Sequence, residues 1–139
     1  MKTIIEKVLS PNDIGSTGGH QAGILIPKRE EILSFFPPLD RCAENPRVVI
    51  RFEDDFCRTW KFNYIYYNNR LRGGTRNEYR LTGMTAFLRD SSAKIGDVLV
   101  FEKKDDEFFV HIKRGTDNSF EDDGIITLVL DSKWKIINM

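Results

Sequence analysis

The sequence predicts a small, mainly β domain, a barrel or sandwich of six or seven short strands with two short helices. Three observations carry this expectation. Apolar residues recur with a period of two in several stretches, turn-forming residues bound those stretches, and the chain lacks the strand–helix alternation of a parallel α/β sheet. The length of 139 residues fits a single domain over 1–139. A chain of that size buries about two thirds of its unfolded surface, enough for a self-supporting core. With 40% hydrophobic and 30% charged residues, the composition is globular rather than disordered.

Two strand-like pieces flank a glycine-rich stretch at 12–23, which reads as a loop or arm. Pro27 suits a first helical turn, where its missing N–H costs nothing, so 27–36 reads as a short helix that Pro37 and Pro38 stop. Residues 47–52 are β-branched and lie between Asn45-Pro46 and an acidic cluster, which marks a strand. In 58–67, Trp60, Phe62, Tyr64 and Tyr66 share one face by the period of two. A second helix is expected at 85–90. Residues 96–102 and 107–113 flank the turn-like Lys103-Lys104-Asp105-Asp106 and read as a hairpin. Its second strand points Phe108, Val110 and Ile112 one way and Phe109, His111 and Lys113 the other. Residues 125–130 form a further strand after Asp123-Gly124, a turn signal. The ending 134–139 fits either a final strand or the beginning of a linker.

The 21 basic and 21 acidic residues cancel, but their distribution does not. Between 58 and 94 there are eight basic residues and two acidic ones, a net of +6, so the remainder carries −6. That polarity suits a cationic face for nucleic acid, and it equally suits plain solvation. No apolar run approaches the ~20 residues that cross a bilayer, and Glu6 stands where a signal peptide is apolar, so neither membrane insertion nor secretion is expected. Cys42 and Cys57 lie apart without a CxxC or Cys/His partner, which fits a reduced, cytoplasmic protein and small core-filling thiols. Trp60 and Trp134 read as packing residues, and His111 as a partly exposed strand residue.

Two irregular segments concentrate the chemistry. Residues 12–23 hold four glycines, which let backbone approach another surface, together with Ser16, Thr17, His20 and Gln21 as donors. No lysine follows the glycines as a P-loop requires, and no βαβ unit surrounds them, so a phosphate loop and a dinucleotide site both fail. A plain surface loop is the alternative. Residues 67–80 set four arginines among three asparagines and two tyrosines around Gly73-Gly74. Arginine forks match guanine O6 and N7, asparagine matches adenine, and a carboxylate accepts from cytosine N4. Further arginines suit phosphates. Here the alternative is a solvated hairpin tip paired with the acidic clusters. Asp97, Glu102 and Lys104 superficially spell the metal-binding pattern of PD-(D/E)XK nucleases, which needs carboxylates converging on magnesium beside a lysine. Without a recognisable supporting core, that trio is a minor reading.

Residues 9–27, LSPNDIGSTGGHQAGILIP, closely resemble the opening of the N-terminal effector domain of EcoRII-like type IIE restriction endonucleases. Residues 65–70 and 73–80, IYYNNR and GGTRNEYR, resemble that family's second DNA-reading segment. Residues 95–101 and 109–114 look like paired strands of the wider DNA-binding pseudobarrel superfamily, which includes the plant B-three domain. The resemblance covers nearly the whole chain.

It implies a mainly β, seven-stranded open DNA-binding pseudobarrel with two short helices, whose two arms grip the major groove of double-stranded DNA. It further implies a 5′-CCWGG target, a bacterial restriction-modification context, and a covalently linked PD-(D/E)XK nuclease domain that this effector domain regulates. The chain itself would carry no catalytic residue, metal or cofactor, magnesium serving only the attached domain, and it would be monomeric in isolation. The implied DNA contacts are Ser16, Thr17, His20 and Gln21 on the first arm. On the second they are Tyr67, Asn68, Arg70, Arg72, Thr75, Arg76, Asn77, Glu78, Tyr79 and Arg80, centred on Arg76, Glu78 and Arg80. Gly74 and Tyr79 depart from the pattern, since basic residues often stand there, which implies weaker phosphate neutralisation. A stand-alone transcription regulator of the same fold is the alternative.

Overall fold

Alternation in the sequence becomes alternation of burial in the strands. The computed structural model describes residues 2–11, 13–14, 23–69, 73–115, 126–131 and 134–138. Its elements run β1 (Lys2–Val8), β2 (Ile24–Ile26), α1 (Glu30–Leu33), β3 (Arg47–Glu53), β4 (Thr59–Tyr67), β5 (Glu78–Thr82), α2 (Thr85–Asp90), β6 (Val98–Lys104), β7 (Glu107–Lys113), β8 (Ile126–Asp131) and β9 (Trp134–Asn138). The strands form one sheet in the order β2-β5-β4-β3-β7-β6-β1-β9-β8. Neighbours are antiparallel except β3 and β7, which pair in parallel at Phe52↔Phe108 and Glu53↔Phe109.

The expected mainly β, open architecture with two short helices holds, with nine strands among the described residues in place of seven. Strand β2 spans three residues, too few to show a period. The ending that fitted a strand or a linker is strand β9, whose Ile136 pairs with Ile5 of β1. Helix α1 is four residues long rather than running over 27–36. Phe35 and Phe36 follow it in a turn, because a residue before proline is driven out of helical backbone.

The sheet's inner face carries the core. Trp60, Phe62, Tyr64 and Tyr66 do face it together, as do Phe108, Val110 and Ile112. Phe52 lies 5.2–5.4 Å from the rings of Phe62, Phe101 and Phe108, joining β3, β4, β6 and β7. Both tryptophans are packing residues: Trp134 is buried, and Trp60 meets Phe87 of α2 edge-on at 5.4 Å. The cysteines are not core fillers. Cys42 and Cys57 are exposed, because each falls in a polar turn rather than on an inward strand position.

Candidate nucleic-acid interface

The connection from β4 to β5 is a tip fastened by asparagines. Asn68 is 1% exposed. Its Oδ1 accepts the Asn45 N–H at 2.8 Å, and its Nδ2 donates to the carbonyls of Arg41 and Ala43 at 3.2 and 2.7 Å. Asn69 closes the tip from inside: its carbonyl accepts the Gly74 N–H and its Oδ1 accepts the Arg76 N–H, both at 2.7 Å. A Cβ on Gly74 would sit 2.7 Å from Asn69 Cγ, so only glycine fits that approach. The Tyr66 hydroxyl donates to Asn77 Oδ1 at 2.7 Å, which ties the far side of the tip to the core face of β4.

On this frame Arg76, Glu78 and Arg80 follow one another at every second residue, and Glu78 and Arg80 share the face of β5 that turns away from the core. Arg76 donates to Glu78 Oε1 through Nε at 3.0 Å and a terminal nitrogen at 2.7 Å. Arg80 donates to Glu78 Oε2 at 3.3 Å, while its buried Nε lies 3.2 Å from Oε1 without a donating alignment. The Arg76 guanidinium also stacks over the Tyr67 ring at 3.8 Å. Two cations thus share one carboxylate. Burial alone would raise the Glu78 pKa, but the Arg80 and Arg76 guanidiniums outweigh it and hold the carboxyl below the usual range. Thr75 is exposed beside this group.

The glycine-rich segment meets the same strand from the other end. Strand β2 pairs with β5 in the register Ile24↔Leu81 and Ile26↔Tyr79. Gly23, at φ +85°, lies so close that a Cβ would be 2.4 Å from the Leu81 carbonyl oxygen. Arg80 donates to the Gly23 carbonyl at 3.2 Å, joining the second segment's arginine to the root of the first. The other root is a buried ion pair between Lys7 and Asp13, whose carboxylate also accepts the Ser10 N–H at 2.8 Å. The two segments therefore leave opposite ends of β5, about 14 Å apart at strand rise.

Several expected contacts change their role. Asn68 is spent inside the fold, with every side-chain hydrogen-bonding atom engaged by the 41–45 loop. Tyr79 is buried, stacked on Tyr66 at 4.3 Å and near Tyr64 at 5.8 Å, so its ring belongs to the core by strand parity. The departures at Gly74 and Tyr79 are thus demanded by this chain's own packing. Ser16, Thr17, His20, Gln21, Arg70 and Arg72 lie outside the described residues. Asn69, Lys7 and Asp13 escaped the sequence reading: a buried ion pair six residues apart leaves no local pattern, and one asparagine of an Asn-Asn pair looks like the other. Asp97, Glu102 and Lys104 are not brought together. Asp97 accepts the Lys94 and Gly115 N–H groups and an Arg114 guanidinium nitrogen at 2.9–3.0 Å, while Glu102 pairs with Lys2 at 3.1 Å.

Comparison with known proteins adds a lineage to this geometry. The chain matches the family model described as restriction endonuclease EcoRII, N-terminal, over residues 2–131. A stretch of 79 residues is 42% identical to the type II restriction enzyme EcoRII of Escherichia coli, covering 55% of this chain and 19% of that protein. The B3 domain-containing transcription factor NGA1 of Arabidopsis thaliana is 26% identical over 118 residues, covering 80% of this chain and 34% of that protein. This chain thus spans about a fifth to a third of the length of these curated relatives. In fold it is similar to a chain of the Arabidopsis FUS3–DNA complex, with a TM-score of 0.58 at 21% identity over 78% of this chain and 94% of that one.

Proposed function

This chain belongs to the restriction endonuclease EcoRII N-terminal family, and from that premise we propose that it binds double-stranded DNA in a sequence-specific manner, reading the major groove between its two arms. The observation that carries the reading is that Gly23, the root of the first segment, and the tip ending at Asn77 lie at opposite ends of β5, with Glu78 and Arg80 on the outward face of that strand between them. Arginine forks at fixed positions suit guanine O6 and N7. Among the described residues Glu78 Oε2 receives one contact, at 3.3 Å, which leaves a carboxylate oxygen with capacity for a cytosine N4 amino group. Arginines and a carboxylate in this order fit the C·G pairs of a 5′-CCWGG target. His20, Ser16, Thr17 and Gln21 would read from the opposite arm, with Arg70, Arg72 and Thr75 on phosphates.

In this reading the chain is a cytoplasmic, monomeric, non-catalytic effector domain of a bacterial restriction-modification system, needing no cofactor. It would regulate a covalently linked PD-(D/E)XK nuclease domain, which alone uses magnesium. A second reading, a transcription regulator, draws support from the plant B3 proteins, whose likeness extends over more of this chain than that of EcoRII. Titration of the chain with a CCWGG duplex and a scrambled duplex at two salt concentrations tests the proposal. Selective binding to CCWGG, tighter by about 10³-fold or more, is the expected result. Equal, salt-sensitive binding to both duplexes would remove the CCWGG assignment, and binding to neither would remove the function.

A further inference from the structure

Beyond the arms, the sheet itself presents a second charged surface. Residues paired directly across strands project to the same face. On the face turned away from the core, Arg80 of β5 shares a row with Ile65 of β4 and Arg47 of β3. Farther along, Arg51 of β3 stands directly opposite Lys61 of β4. Arg47, Arg51 and Lys61 are all exposed. Like charges directly opposed across an antiparallel pair destabilise it, and among the described residues neither Arg51 nor Lys61 has an ion pair. Glu107 of β7 lies on the other side of Arg51, but the Arg51–Lys61 repulsion remains, and a ligand of opposite charge would relieve it. Between the cations the row holds only uncharged Val49 and Asn63.

We propose that Arg47, Arg51 and Lys61 form a phosphate track that holds the DNA backbone beside the bases read by the arms. Arg47 lies two strands from Arg80, about 10 Å, so the track begins within a side chain's reach of the second arm. Arg47 and Arg51 are four residues apart, about 13 Å of strand, which equals the helix-axis rise of about four nucleotides of one DNA strand. The acidic residues Glu53 and Glu107 bound the track at its far end: Phe52↔Phe108 pairing sets Glu107 beside Arg51. Contacts of this kind position the duplex without reading its sequence.

The inference rests on the DNA-binding reading, and the test separates the two. The probe is a duplex longer than the arms alone would cover, with CCWGG at its centre, alongside a scrambled duplex of equal length. The triple variant Arg47→Gln, Lys61→Gln, Arg51→Gln is titrated against both across a salt series. Arg89→Gln serves as control, because α2 carries Arg89 and packs on the core side through Phe87 against Trp60. All three substituted residues are exposed and two of them repel each other across the strands, so the thermal melting midpoint should not fall below that of the wild type. The expected result is a salt slope shallower by about 2 to 3, roughly one counterion per cation, with affinity for both duplexes falling about ten- to hundredfold together. The ratio of specific to scrambled binding and the behaviour of Arg89→Gln should not change. A slope and affinities equal to a wild type that does discriminate would overturn the track alone. A collapsed ratio would make these residues base readers and overturn their backbone role. A wild type that binds neither duplex would overturn the function and the track with it.

Discussion

Strand β4 is closed at its two ends by tips that treat arginine in opposite ways. At the β3–β4 tip, the single carboxylate of Asp54 accepts the Phe56 and Arg58 N–H groups at 2.8 and 2.9 Å, and Arg58 Nε and the Trp60 indole at 2.8 Å. Arg58 then turns its remaining nitrogens to Asp90 at 2.6 and 3.2 Å. One arginine is shared by two carboxylates. At the β4–β5 tip the backbone is held by uncharged asparagines, and two arginines share Glu78. The first tip closes its charge within the fold and has nothing left to offer. The second keeps a net positive charge in a fixed orientation, which is what an anionic partner needs.

Removing the organising carboxylate of the closed tip should have the largest effect. Asp54→Ala leaves four donors without their acceptor, and we expect about 3 kcal/mol of lost stability by denaturant unfolding, with DNA affinity per folded molecule unchanged. Wild-type stability in that variant would take the carboxylate out of this role. The same group predicts an acid limb. Burial alone would raise its pKa, but hydrogen bonds from Trp60, Arg58 and Phe56 outweigh that and bring it from 3.8 to about 2. A depressed carboxylate stabilises the fold above its unfolded pKa and loses that contribution as pH falls through the folded value. Stability should therefore drop between about pH 4 and pH 2, and Asp54→Asn should flatten that limb.

At the open tip the order of effects reverses. Arg76→Ala or Arg80→Ala should cost about 1–3 kcal/mol of specific binding and relax discrimination at one base pair, as read by competition with single-base variants of the site. Losses no larger than those of Arg89→Ala would misplace the second arm. The smallest effect belongs to Gly74→Ala, which pushes against Asn69 and should lower specific affinity by about 1 kcal/mol together with a modest fall in the unfolding midpoint. A midpoint shift without an affinity change would assign Gly74 to stability alone.

The contrast also marks what a sequence discloses. β-branched composition and bounding turn residues placed β3, and period-two alternation placed β4 and β7, almost to the residue; the second expected helix coincides with α2, at 85–90. Trp60, Phe62, Tyr64 and Tyr66 could be assigned to one face because parity is local. Strand parity also places Tyr79 in the core, but its position inside an arginine-rich motif favoured a surface reading. The distinction between Asn68 as support and Arg76 as a presented group needed the 41–45 loop, which is distant in the chain. Hydrophobic count failed for Cys42 and Cys57 because turns override it. The pairing of Lys7 with Asp13 depends on how β1 delivers a lysine to the base of the arm, a fact of three dimensions only.

The lone parallel contact between β3 and β7 divides the sheet into two leaves held by a narrow seam. One leaf carries β2, β5, β4 and β3, and the other carries β7, β6, β1, β9 and β8. The chain passes between them at 9–23 and again at 83–97. The two passages are laced together where Leu9 donates to the Asp97 carbonyl at 2.8 Å and Gly96 donates to the Leu9 carbonyl at 3.1 Å. The glycine-rich segment consequently has one foot in each leaf, at Asp13 and at Gly23. Whatever takes hold of that segment also bolts the leaves together, so a bound partner should slow amide exchange at Phe52 and Phe108, on the two sides of the seam.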